Sequence, residues 1–474
     1  MLDKYENFEK RVNEAADLFK EFDKNKAIRV ISHIDCDGIC AASILIKALN
    51  NKNIKYSLST VQQLNKKMLD ELKNEKYSYY IFTDLGSGII SSISEQLSGR
   101  KIIILDHHEF EADKNFENII HVNPHLFGID GSKEISGAGV VYLFSSTIDK
   151  DCVNLAHIAL IGAIGDIQES NGFLNLNNKI LKKAVSLGLI RVERGFRFFG
   201  LQTRPVHKIL EYSSDPFIPG VSGSESAAIQ FLNELGIDPK IGNDWKTIQD
   251  LSEDEIKKLA AGIIMKRHSE EDPEDIFGNV YVLEKEKEPI LRDIKEFSTL
   301  LNACGRLGKA SLGIGTCLGI ESLKKKAIDN LSRYKRELVK ALNWYRDNQK
   351  SENIISKNGY IIINAENNVM GTMIGVLASI ISKSNNFDHL TYILALAHND
   401  DDTSKISLRV SGETKKLKDI DLRSIVSRIV DTVGGESGGH MSAAGAVIKT
   451  ESENAFIEEA QEIFEKLSLE EAVD

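Results

Sequence analysis

Apolar, β-branched runs alternate with amphipathic stretches through the first third of the chain. Segments 27–32, 79–82, 101–105 and 119–122 read as buried strands, and 4–24, 38–49, 89–97, 138–148 and 153–165 read as helices. Ser136 stands where it would cap the helix 138–148. Strands alternating with helices predict a doubly wound α/β domain with a parallel sheet and right-handed crossovers. From 177 to 288 the pattern turns helical and irregular and takes in five of the seven prolines, Pro205, Pro216, Pro219, Pro239 and Pro273, which suggests a helical insertion. Residues 321–350 lack Gly and Pro and predict one connecting helix of roughly 45 Å. Beyond it, strands at 360–364, 392–397 and 406–410, helices near 373–382 and 421–431, and a glycine-rich turn before 446–449 predict a smaller α/β domain. The expected boundaries are 1–320 with the insertion at 177–288, a connecting helix at 321–352, and a second domain at 353–474.

Composition narrows the class. Of the 474 residues, 42% are hydrophobic and 27% charged, which is ordinary for a globular protein of two or more domains. Net charge of −11 argues against indiscriminate nucleic-acid binding. Two segments run the other way. Between Asn178 and Lys208 eight Lys and Arg face one acid, with Phe196, Phe198 and Phe199 interleaved. Between Glu321 and Lys350 nine face four, with Tyr334, Trp344 and Tyr345. Cations beside aromatics suit a single-stranded polyanion whose bases stack, although a solvated helix face explains either segment equally well. The five cysteines form no C-x-x-C pair, and the opening residues read as an amphipathic helix rather than a signal peptide, so a cytoplasmic setting is expected. No apolar run approaches the ~20 residues of a membrane span, and no membrane partner is expected.

The chemistry concentrates in short acidic and histidine clusters: His33-Ile34-Asp35-Cys36-Asp37-Gly38, Thr83-Asp84, Asp106-His107-His108 and Gly165-Asp166. Each ends an apolar run, as residues at the ends of parallel strands do, and one sheet edge would gather them. Carboxylates and imidazoles packed together repel and desolvate one another unless cations sit among them. In H-x-D-x-D, alternate residues on an extended segment would face one pocket, and Gly38 would let the backbone turn into a helix. Hard oxygen donors with some imidazole favour Mn²⁺, with Mg²⁺ able to replace it, over a closed thiolate zinc site. A pair of cations bridged by one carboxylate is the usual two-metal hydrolase, and Asp84 is the candidate bridge. Cys36 is expected to point into the core.

With these four motifs in this order, the sequence resembles the DHH phosphoesterase superfamily. The resemblance implies one metal held by His33, Asp35 and Asp84, and a second by Asp37, Asp84, His107 and Asp166. It implies His108 facing the scissile phosphate and Asp106 orienting a neighbouring ligand. Ser136-Gly137-Ala138-Gly139-Val140 matches a further family segment, for which a helix cap with close packing is explanation enough.

Two later segments extend the likeness. The glycine-rich stretch 434–445 would expose consecutive N–H groups as an anion-binding nest, and its G-G-H-x-x-A-A-G resembles the DHHA1 companion domain. Lys405-Ile406-Ser407-Leu408-Arg409-Val410-Ser411-Gly412 resembles that domain's phosphate-contacting strand. By that likeness Arg409, Ser411, Gly438, Gly439 and His440 would bind substrate, with His440 and Arg409 gripping it from across a cleft. Asn302-Ala303-Cys304-Gly305-Arg306-Leu307 looks like the N-A-x-G-R-L motif of RecJ-type nucleases, so Asn302 and Arg306 would contact phosphates. The insertion and the length resemble archaeal RecJ-like proteins, a group that includes the GINS-associated nuclease. Together these likenesses imply a Mn²⁺-dependent exonuclease on single-stranded DNA or RNA that releases mononucleotides, with GINS or another replisome protein as partner. Two other readings are a phosphodiesterase of short oligonucleotides and a replisome scaffold with little activity.

Overall fold

In the computed structural model of the chain, helix α1 (Lys4–Lys20) precedes a sheet of five parallel strands: β1 (Ile28–His33), β2 (Tyr56–Val61), β3 (Tyr79–Thr83), β4 (Lys101–Leu105) and β5 (Ile119–Val122). The described residues are 3–111, 116–169, 172–384, 387, 390–411, 420–440 and 443–471. Strand order is β2-β1-β3-β4-β5, so the chain reverses its direction of travel between β1 and β3. Sheets wound this way open a crevice beyond the carboxyl ends of the strands at the reversal. Val30, Ile31, Ile81, Phe82, Ile103 and Ile104 are fully buried, as expected for strands covered on both faces. On one face α3 (Lys66–Asn74) and α4 (Ile90–Gln96) contribute Leu69, Leu72, Ile90 and Ile93 to a core with Ile31, Tyr80 and Phe82. Elsewhere α2 (Cys36–Asn51), α5 (Gly137–Ile148) and α6 (Ala156–Gly165) pack on one another. The pair β2 and α3 escapes the hydrophobic pattern because β2 is a half-buried edge strand whose residues alternate with hydroxyl side chains.

After α7 (Asn175–Ser186), β6 (Ile190–Phe196) opens the insertion and β9 (Phe277–Leu283) closes it as its antiparallel partner. Between them lie α8 (Val206–Glu211), α9 (Glu225–Glu234), the short hairpin β7 (Lys240–Ile241) and β8 (Asp244–Trp245), and α10 (Glu253–Lys266). The insertion has its own apolar core around Phe196, Phe198, Ile209, Phe231, Leu232, Ile263 and Ile276. Its strands were not legible because basic residues in β6 blur the apolar period. Helices α11 (Pro289–Arg292), α12 (Ile294–Arg306) and α13 (Ala310–Cys317) return the chain to α2 and α6. The connecting helix α14 runs Glu321–Asp347, about 40 Å at 1.5 Å per residue, shorter than expected.

Two compact units divide the chain at Leu331 and Ser332, within α14. The second is built on a mixed six-stranded sheet. Its strands are β10 (Ile354–Lys357), β11 (Tyr360–Asn364), β12 (Thr391–His398), β13 (Thr403–Ser411), β14 (Glu436–His440) and β15 (Ala443–Lys449), in the order β10-β11-β12-β13-β15-β14. Helix α15 (Gly371–Ser382) lies on β12 and β13, while α16 (Leu422–Val433) and α17 (Glu453–Glu471) share a core with Ile406, Leu408, Ala444 and Ala446. The glycine-rich segment is therefore largely strand and not one continuous turn, and residues 441 and 442, where β14 passes into β15, lie outside the described residues. Residues 436–440 form an edge strand antiparallel to β15, so part of their N–H groups is spent on the ladder. Among the described residues, no helix is long and apolar enough to cross a membrane.

Candidate metal centre

Strand β1 ends at His33, and Asp35 immediately caps α2, its carboxylate accepting from Gly38 N at 3.0 Å. The H-x-D-x-D segment is thus not extended throughout. Asp37 stands in the first turn of α2 and is fully buried, whereas His33 and Asp35 keep partial exposure. Gly38 is needed for close approach: a Cβ there would lie 2.4 Å from the His33 carbonyl oxygen. Asp37 turns to the amino end of α5, where Gly137 N donates to Oδ2 at 2.6 Å and Ala138 N to Oδ1 at 3.0 Å. A helix amino terminus favours the anionic carboxylate. The Ser136–Val140 segment therefore does more than cap its own helix, although the Ser136 hydroxyl does accept from Gly139 N.

Gly162 of α6 faces the same carboxylate, and a Cβ at that position would lie 2.2 Å from Asp37 Oδ1. Gly162→Ala should displace Asp37 while keeping α6 helical, since Ala is the better helix former. Calorimetric titration with Mn²⁺ should read an affinity about 10–100-fold weaker, the range seen when a ligand loses its support. Unchanged affinity would mean that Asp37 is not held for a cation.

Asp84 follows β3 with a left-handed φ of +58° and 1% exposure. Asp tolerates this backbone region better than most residues. Its Oδ1 lies 3.3 Å from His107 Nε2, and its Oδ2 lies 3.6 Å from His33 Nδ1. His107 Nε2 is also 3.1 Å from Asp166 Oδ2 and 3.7 Å from Asp37 Oδ2. Asp166 caps the carboxyl end of α6, so the fourth cluster reaches the site from a helix and not from a strand end. Asp106 binds inward: its Oδ1 accepts from His107 N and pairs with His108 Nδ1, both at 2.8 Å, and its Oδ2 accepts from Ser87 N. Three overlapping donor groups result, namely His33–Asp35–Asp84, Asp37–His107–Asp166 and Asp84–His107–His108, each with ligand atoms within 4.8 Å of one another.

Hydrogen bonds on the far side of each ring set the tautomers. His107 Nδ1 lies 2.7 Å from Gly131 O and His33 Nε2 lies 3.2 Å from Gln62 O, so each ring's N–H is taken by a carbonyl and the lone pair of the other nitrogen is left facing the cluster. Gln168 braces this arrangement by donating to the same Gly131 carbonyl. Sequence patterning missed Gly131 and Gln168 because both act through backbone atoms or from behind a ligand. Among the described residues, His33 Nδ1, both Asp84 oxygens and His107 Nε2 are buried without a hydrogen bond. His33 Nδ1 lies 2.9 Å from Asp35 Oδ2, close enough for charge attraction but not aligned as a hydrogen bond. Orphaned donor atoms of this kind, converging on one spot, fit hard divalent cations.

Titration follows the same logic. Burial raises Asp37 well above the usual carboxylate range, and the nearby Asp84 and Asp166 charges push it further. Burial opposes the imidazolium of His33 and His107, but the carboxylates of Asp35 and Asp84 around the first, and of Asp166 and Asp84 around the second, more than offset this and raise both well above 6.5. Burial likewise opposes the Asp106 carboxylate, yet His108 holds it well below its ordinary value. Cys36 is buried with Sγ 3.4 Å from Ile161 O, and burial pushes its thiol up to about 11, so it faces away from the site as expected.

Asn302 and Arg306 sit on the last turns of α12. Asn302 Oδ1 accepts from Cys36 N at 3.1 Å, so it caps the amino end of α2 rather than turning that oxygen to solvent. A Cβ on Gly305 would lie 1.7 Å from Ile34 O, which explains the glycine. Arg306 is the half-buried final residue of α12. In the second unit Arg409 donates to Ser379 Oγ at 2.9 Å and to Leu408 O at 2.8 Å, and Ser411 ends β13 as a buried residue. Gly438 pairs with Gly445 and Gly439 with Ala444, the latter glycine at φ +121°. His440 pairs with Ala443 through the backbone; its side chain, like Gly412, Met441 and Ser442, lies outside the described residues.

Comparison with known proteins matches these parts separately. The model of the DHH family, N-terminal domain, matches residues 27–163, the DHH-CID domain 198–276 and the DHHA1 domain 358–466. An uncharacterized protein of Methanocaldococcus jannaschii is 31% identical over 92% of this chain and 93% of its own. RecJ of Thermus thermophilus, solved with Mn²⁺ and also with Mg²⁺, superposes with a TM-score of 0.59 for the Mn²⁺ form at 17% identity. That match covers 96% of this chain and 55% of RecJ, so the chain spans about half of that nuclease. Cdc45 of Entamoeba histolytica superposes with a TM-score of 0.61 at 14% identity, covering 98% of this chain and 99% of its own.

Proposed function

The chain belongs to the RecJ-like DHH/DHHA1 superfamily, and from that premise we propose that it is a two-metal phosphodiesterase that removes mononucleotides from an end of single-stranded DNA or RNA. The observation that carries this reading is Asp84, a buried carboxylate whose two unbonded oxygens face two separate donor groups. His33, Asp35 and Asp84 would hold one cation, and Asp37, Asp84, His107 and Asp166 the other. Mn²⁺ is the ion proposed first, with Mg²⁺ able to take its place. Two such cations supply Lewis acidity and lower the pKa of water at the site. The protein's own groups orient and shield. Asp106 would fix His108 through Nδ1, so that Nε2 faces the scissile phosphate, and the α5 amino end would orient the Asp37 carboxylate. Arg306 and Arg409 would draw the phosphates of the strand, a task suited to the planar guanidinium fork.

Single strands of DNA and RNA, labelled at the 5′ or the 3′ end and incubated with Mn²⁺, test the reading. A ladder growing from one end supports it and reads the polarity. Turnover of dinucleotides with no attack on longer strands would replace it with an oligonucleotide phosphodiesterase. A second reading, a replisome scaffold partnered by GINS or a similar protein, is favoured by the Cdc45-like fold. Loss of every strand-cleaving activity with both Mn²⁺ and Mg²⁺ would select it.

A further inference from the structure

Helix α6 ends in a left-handed turn directly beside the metal centre. Ile167 N donates to Ile164 O at 3.1 Å and Gln168 N to Ala163 O at 2.9 Å, the closing pattern in which the residue after the cap turns left-handed. Gly usually holds that position, and Asn sometimes does. Here it is Ile167, at φ +57°. The other non-glycine residues with left-handed φ among the described residues are Asn53, Asp84, Asn175, Glu366 and Asp402, none of them β-branched. A branched Cβ is a poor fit to this backbone region. Ile167 is also 80% exposed, more than any other large hydrophobic side chain among the described residues. A lone exposed Ile is ordinary on a protein surface, and so is a left-handed turn after a helix. Their coincidence at one residue is not, because strain and exposed apolar surface both work against the folded chain. The neighbours hold Ile167 in place. On one side Asp166 Oδ2 lies 3.1 Å from His107 Nε2. On the other the buried Gln168 donates to Gly131 O at 2.9 Å and accepts from Asn177 Nδ2 at 2.8 Å. The strained residue is thus fixed at both ends, with its Cα about 3.8 Å from that of Asp166.

Resting on the proposed function, we propose that Ile167 is a specificity-determining contact whose side chain packs on the face of the nucleobase carried by the nucleotide at the metal centre. Strain and exposure are then both explained, since the substrate covers the side chain that the turn presents. Isoleucine is among the apolar side chains that proteins press between bases. The contact reads no sequence, because every base offers a flat face, and it favours nucleotides over phosphodiesters that lack a base. Glycine at this position would relieve the turn and remove the contact, so one substitution separates the two roles.

Single strands with a base on every residue are compared with strands carrying an abasic tetrahydrofuran residue at both ends, which makes the readout independent of polarity. With Mn²⁺, wild type should release the end residue of the intact strand with kcat/KM about tenfold above that of the abasic strand, as expected for one base contact. Ile167→Gly should bring this ratio to within about twofold of unity, while Ile167→Val keeps most of it. Ile167→Gly should also unfold at the wild-type temperature or above it, because glycine accepts the left-handed turn. A ratio near unity in wild type, or the wild-type ratio retained in Ile167→Gly, overturns the contact. A ratio lost together with several degrees of unfolding temperature would return Ile167 to a packing role and overturns it as well. Should wild type cleave neither strand, the proposed function falls. Fluorescence anisotropy of the same two strands, with Ca²⁺ in place of Mn²⁺, then still decides the contact by the same ratio of about tenfold in affinity.

Discussion

Asp84→Asn should lower strand hydrolysis by about 10³-fold or more, because Lewis-acid stabilisation worth several kcal/mol depends on the carboxylate shared by both donor groups. Asn is the informative replacement. It keeps the shape, tolerates the φ of +58° and removes only the charge. Calorimetry with Mn²⁺ should show fewer than two ions bound per chain. The metal-free variant should unfold close to the wild-type temperature. Asp84 is repelled by the neighbouring Asp37 carboxylate but attracts the imidazoliums of His33 and His107, so the two consequences of removing its charge oppose each other. A structural role would show the reverse pattern, with lost stability and retained rate. Activity within tenfold of wild type would sink the shared-ligand arrangement.

What could be read from the sequence depended on how each residue reaches the site. His33, Asp84 and Asp106–His108 follow strands directly, and strand ends are marked by buried β-branched runs, so their convergence was legible. Asp37 and Asp166 come from helices, and the path of the Asp37 side chain depends on Gly162 and on the α5 amino end, contacts made about a hundred residues away for Gly137 and Ala138. Periodicity cannot register those. The glycines at 434–445 misled in a different way. Glycine-rich composition usually signals a turn, but here the missing side chains leave one row of a sheet bare while the backbone still pairs. Asn302 illustrates a third case. The residue was singled out for phosphate contact, yet one of its amide atoms is committed to the amino end of the first motif, a link only the folded chain reveals.

Mn²⁺ should stabilise the protein against heat, and by more at pH 8 than at pH 6. Without a cation, His33, His107 and Asp37 all have pKa values raised above those of the unfolded chain. Groups shifted upward stabilise the fold while protonated, so their contribution is present below the unfolded pKa and fades as pH rises through the folded one. The metal-free protein therefore loses stability as pH climbs from the ordinary histidine value of 6.5. Asp35 and Asp106 are shifted downward, and their contribution is lost only in acid, leaving it constant across this window. Cations replace the protons. Each displaced proton weakens metal affinity by up to about tenfold per unit of falling pH, so two histidines give up to about 100-fold for every unit. At a concentration one hundred times the dissociation constant, one bound ion adds about 2.7 kcal/mol, which that fall in affinity would nearly erase. Thermal unfolding with and without Mn²⁺ at both pH values reads the difference, and titration in buffers of different ionisation enthalpy counts the released protons. Equal shifts at the two pH values, with no proton release, would show that the imidazoles are not ligands and would return His33 and His107 to a purely structural role.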